Sequence, residues 1–153
     1  MAMLSESFEK AKEEMKRADH LMFVSLKYTR TVDVLKSIIE RLINAFDFTT
    51  DSLFEKLKQQ KKITEIPTIP KVRVDVLKQL FDHDEQMKTF LRLYLLLRKI
   101  HKAEFARARE YRRHVTMTAY LEDAEIEITI DIIFDYFERT KEFLEYIQAM
   151  LEK

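Results

Sequence analysis

No glycine occurs anywhere in the 153 residues, and there are only two prolines, Pro67 and Pro70. Turns with positive φ normally recruit glycine, and so do loops whose backbone wraps a phosphate. A chain without it is not expected to be rich in β-hairpins, and glycine-dependent P-loop and Rossmann fingerprints are excluded. The expected fold is therefore all-α: an up-and-down bundle of about five helices in a single domain, 1–153. Hydrophobic residues at 46% and charged residues at 35% fit a globular core rather than a disordered chain.

Hydrophobic spacing supplies the elements. Phe8, Ala11, Met15, Ala18 and Met22 follow one helical face, and Val32, Leu35, Ile39, Leu42, Phe46, Leu53 and Leu57 follow another. A single helix over both would be too long, so a break is expected near Thr29–Thr31, with Thr31 capping the second helix. The prolines make 62–71 an extended loop between the two halves, with Pro70 in the first turn of a short helix reaching Phe81. Asp82 and Glu85 form a capping signature for a helix over roughly 84–113. That helix is apolar nearly all round between Phe90 and Leu97, which predicts a central position. A last helix is expected from about Asp123, with Ile126, Ile130, Ile133, Phe137, Leu144, Ile147 and Leu151 inward. Residues 114–121 and 125–132 alternate as strands would, and a hairpin around 122–124 is the alternative there. The smooth run of Ile126, Ile130, Ile133 and Phe137 favours helix.

The absence of cysteine excludes disulfides and thiolate zinc sites. The N-terminal MAMLSESFEKAKEE lacks an apolar leader, and no apolar run is long enough to cross a bilayer, so a soluble, cytoplasmic protein without a membrane role is expected. The Lys-, Arg- and Glu-rich composition suits a thermophile. Net charge is zero, but it is unevenly spread. Residues 98–114 hold seven Lys or Arg against two Glu, and residues 122–153 hold ten Asp or Glu against three Lys or Arg. Two such segments either pair with each other or leave a basic surface for an anionic ligand.

Metal chemistry finds no support in the spacing. A di-metal bundle needs Glu-x-x-His, yet Arg17, Leu80, Arg98 and Tyr111 stand three residues before the four histidines. Glu-x-x-Glu occurs, as at Glu6 and Glu9, but Glu-x-x-Asp does not, and neither a metal nor another cofactor is expected. Asp47 with Asp51, and Asp131 with Asp135, are single pairs with too few ligands for a cage. His101 is in register with the apolar face of its helix and reads as a part-buried core residue. In KYTRTVD, Tyr28, Arg30 and Asp33 interrupt an apolar series and form a candidate buried polar cluster, with an Arg30–Asp33 pair as the simplest arrangement.

The richest stretch is RAREYRRHVTMTAY, 107–120. Arg107 and His114 share a helix face about 10 Å apart. Arg109 and His114 would diverge by about 140° on a regular helix and converge only where it ends or unwinds. Arginine and histidine together can cleave RNA without metal, the imidazole moving protons and the guanidinium steadying the phosphorane. The stretch resembles the HEPN superfamily of small helical bundles, whose signature is Arg, four to six residues, then His, as in Arg109-Glu-Tyr-Arg-Arg-His114. The break at Tyr120 and the long closing helix resemble that family's C-terminal half. The family often has a small polar residue after the arginine, where this chain has Glu110 or Ala108.

The resemblance implies a homodimer with Arg–His pairs in a cleft between subunits, and either metal-independent endoribonuclease activity or a non-catalytic role beside a nucleotidyltransferase partner. His114, with Arg109 or Arg107, would act on the RNA phosphate, while Arg112, Arg113 and Tyr120 would bind the RNA. The competing expectation is a catalytically inactive bundle acting through homo-oligomerisation or protein–protein association.

Overall fold

The computed structural model describes residues 5–153; residues 1–4, the beginning of the segment read as leaderless, lie outside the described residues. Ser5 opens α1 (Glu6–His20) by accepting the Phe8 N–H on its hydroxyl. The rod continues through a π-helical segment, Leu21–Ser25, into the short α2 (Leu26–Tyr28). Thr29 and Arg30 break it. Thr31 then caps α3 (Val32–Gln59), its hydroxyl accepting from the Val34 N–H at 3.3 Å. Pro70 is the first residue of α4 (Pro70–Leu80), where its missing N–H costs nothing. Asp84, rather than Asp82, caps α5 (Glu85–Lys102) by accepting from the Met87 N–H. Thr129 caps α6 (Ile130–Leu151) in the same way through the Ile132 N–H.

The expectation of an all-α chain is overturned by a three-stranded antiparallel sheet, β1 (Glu104–Ala108), β2 (Thr116–Tyr120) and β3 (Glu125–Ile128), in that spatial order. The helix expected over 84–113 stops at Lys102, and the one expected from Asp123 begins at Ile130. Period-two alternation is what decides this. Phe105 opposite Ala119, Ala119 opposite Ile126, and Met117 opposite Ile128 share one face, which is turned to the helices. Met117, Ala119 and Ile128 are fully buried there. The good helix formers of EFARA yield because β2 needs a partner on each edge for its N–H and C=O groups.

The sheet turns without glycine. Leu121 N–H donates to the Ala124 carbonyl at 2.8 Å, closing β2–β3 with no positive φ among the residues between them. The β1–β2 turn instead forces two ordinary residues, Arg109 (φ 56°) and Tyr111 (φ 64°), into the left-handed region.

The centre belongs to α3, not α5. It packs on α1, α5, α6 and β2, and Leu35, Ile38, Ile39, Leu42, Ala45, Phe46 and Phe54 are wholly buried along it. Phe46 stacks on Phe143 of α6 at 4.6 Å between ring centroids and meets Tyr94 of α5 at 5.3 Å. Asp47 and Asp51, the pair weighed as cation ligands, hold guanidinium groups: Arg98 at 2.7 Å and the buried Arg73 at 2.6 Å. Among the described residues, no helix is long and apolar enough to cross a membrane.

Candidate anion-binding site at the β1–β2 turn

The break before α3 and the β1–β2 turn are fastened together. Tyr111 N–H donates to the Arg30 carbonyl at 2.6 Å. Glu110 accepts the Val32 N–H at 3.0 Å, satisfying a first-turn donor of α3 and placing a negative charge at that helix's N-terminus. Glu110 thus lies between two left-handed residues and anchors them both. Such backbone costs roughly 1 kcal/mol or more per residue and persists where its surroundings over-determine it.

This docking brings Arg30, from the α2–α3 break, together with Arg109, Arg113 and His114 from the turn in the lining of a cavity of about 410 Å³. The rest of the lining includes Glu127 of β3 and Asp131 in the first turn of α6, with the hydroxyl-bearing Thr116 and Thr129. Thr116 donates its hydroxyl to the His114 carbonyl at 2.8 Å, which fixes the backbone of the histidine. Arg73, Arg98 and Arg107 have carboxylate partners at 2.6, 2.7 and 2.9 Å. Among the described residues, the three arginines of the cavity have none, so their donors are free for a ligand.

The other residues singled out in the sequence lie elsewhere. Arg107 is on the helix-facing side of β1, where its guanidinium covers the Phe105 ring at 5.2 Å and pairs with Asp33 at 2.9 Å and Glu110 at 3.9 Å. It braces the turn and does not line the cavity. Arg112 is exposed and is not part of the cavity wall. Tyr120 lines a separate depression with Lys99 and Lys102. Tyr28, Arg30 and Asp33 make no buried cluster: Tyr28 is 78% exposed, and Asp33 pairs with Arg107 instead of Arg30.

In the sequence Arg30 was grouped with Tyr28 and Asp33, Asp131 was weighed only with Asp135 as a cation pair, and Glu127 was not singled out. The one usable signal for Arg30 was position, an arginine at a helix break followed by a capping threonine. No family model matches the chain, and neither the curated proteins nor the solved structures contain a significant match.

Proposed function

We propose that this cavity binds an RNA phosphate and that His114 and Arg109 promote metal-independent cleavage there. The observation that carries the reading is the gathering of three arginines without carboxylate partners and one histidine in the lining of a single cavity. Guanidinium groups supply forked donors to phosphate oxygens, and Arg30, Arg109 and Arg113 converge from two separate segments. The strand-turn origin of Arg109 and His114 answers the geometric objection that a regular helix would point them apart.

In the proposed step, His114 accepts the 2′-hydroxyl proton as the O2′–P bond forms. The P–O5′ bond breaks, the leaving oxygen takes a proton from water, the proton held by His114 passes to the hydroxide so formed, and the products are a 2′,3′-cyclic phosphate and a 5′-hydroxyl. Arg109 and Arg113 offset the charge that grows on the phosphorane. Incubating labelled single-stranded RNA with the protein in a chelator, beside His114→Ala and Arg109→Ala, tests this. Cleavage by the native chain that both variants lose is the expected result. Equal cleavage by all three, or none by any, removes the catalytic part.

A second reading is association through the outer face of the helices. Phe23 of the π-helical segment and Phe134 of α6 are 47% and 42% exposed and meet edge-to-face at 6.1 Å. In this reading the pair is covered by a second copy of the chain. Sedimentation of the native protein against Phe23→Ser/Phe134→Ser discriminates: a dimer that the double variant dissolves supports it, and a monomer in both rejects it.

A further inference from the structure

The cavity is not uniformly basic. Glu127 and Asp131 line it together with the arginines, and among the described residues neither carboxylate has an ion-pair or hydrogen-bond partner. Both are exposed. Opposite charges therefore line one space of about 410 Å³ without closing on each other. For a bare phosphate this is a poor design, because two carboxylates repel it and ionised carboxylates can only accept hydrogen bonds. The arrangement suits a ligand that carries its anion at one end and N–H donors at the other.

Building on the phosphate reading above, we infer that the ligand is a guanine nucleotide, its phosphate on Arg30, Arg109 and Arg113 and its base edge on Glu127 or Asp131. Guanine has two adjacent donors, N1–H and the N2 amine, and these match the two oxygens of one carboxylate in parallel bonds, as a guanidinium does. Adenine and cytosine each put an acceptor nitrogen beside their amine, which would confront a carboxylate lone pair. Uracil flanks its single N–H with two carbonyls. The volume is within the range of pockets that enclose ligands of this size.

The test is calorimetric titration of the full chain at low salt with the 3′-monophosphates of guanosine, adenosine, cytidine and uridine, and with inorganic phosphate. Glu127→Gln, Asp131→Asn and Arg113→Ala are titrated alongside, each first checked for native circular dichroism. The guanosine nucleotide is expected to bind at least about tenfold tighter than the other three, as a bidentate base contact allows. Glu127→Gln or Asp131→Asn should erase that preference while leaving inorganic phosphate bound as well or better. Arg113→Ala should weaken every ligand. Equal binding of all four nucleotides, or a guanosine preference that survives both carboxylate variants, overturns the guanine assignment and leaves the phosphate reading standing. Failure of every ligand to bind, inorganic phosphate included, overturns both.

Discussion

The backbone N–H of Val32 donates to the carboxylate of Glu110 at 3.0 Å, joining positions 78 residues apart. One contact thereby caps the central helix and pins the turn that carries Arg109 and His114. Glu110→Ala should lower stability by about 1 kcal/mol, the usual worth of a helix cap. It should also weaken phosphate binding, because the left-handed backbone at Arg109 loses its anchor. Glu110→Gln keeps an oxygen for the Val32 N–H and should retain most of the stability. Urea unfolding of the three proteins checks this, and no loss in the alanine variant would remove Glu110 from the role.

Arg109 and Arg113 are expected to act on phosphate as charges in parallel. Neutralising each should reduce the slope of log affinity for single-stranded RNA against log salt by somewhat less than 1. Arg107→Ala should change stability more than the slope, since its guanidinium is occupied by Asp33 and Glu110. Fluorescence anisotropy over a salt series separates the two behaviours.

Lys61 has φ 61°, the position after the α3 cap where glycine is usual. Lys61 N–H donates to the Lys58 carbonyl at 3.0 Å and Lys62 N–H to the Leu57 carbonyl at 2.9 Å, the paired bonds of a Schellman motif. Lys61→Gly should therefore stabilise the protein by about 1 kcal/mol, the left-handed penalty of a residue with a Cβ. A fall in the thermal midpoint would contradict it.

Thr49 is wholly buried in α3, and its hydroxyl has no hydrogen-bond partner. Thr49→Val keeps the shape and the β-branch while removing the orphaned polar group. The expected outcome is a gain of about 1 kcal/mol in urea unfolding, in line with the cost of an unmade buried hydrogen bond.

Two tyrosines make alkaline stability a readout of packing. Burial, and then the Asp84 carboxylate that accepts a hydrogen bond from its hydroxyl, push Tyr146 up to about 12. Burial and then Asp47 also raise Tyr94, against the opposing pull of Arg98. An unfolded tyrosine loses its proton at about pH 10. The fold retains these protons longer, so their contribution is complete below pH 10 and is lost as pH rises toward 12. Tyr146→Phe should flatten part of that decline when unfolding midpoints are compared at pH 9, 10 and 11.

The helical part of this fold was legible because its signals are local. The spacing of Leu35, Ile39, Leu42 and Phe46, the threonine at 31 and the proline at 70 each act within a turn or two of themselves. The sheet was half legible: Met117, Ala119, Ile126 and Ile128 alternate in the sequence, yet helix-forming residues in EFARA and the continuation through Ile130 and Ile133 compete with that pattern. Strand pairing across β2 settled the contest, because its hydrogen bonds join residues whose neighbours in sequence prefer helix. Absence of glycine correctly made positive φ costly but did not forbid it, since Arg109 and Tyr111 are held there by contacts to Arg30 and Val32. The cavity was legible only in fragments. Arginine and histidine were visible together in one segment, but Arg30, Glu127 and Asp131 reach them through long-range docking that no local periodicity encodes.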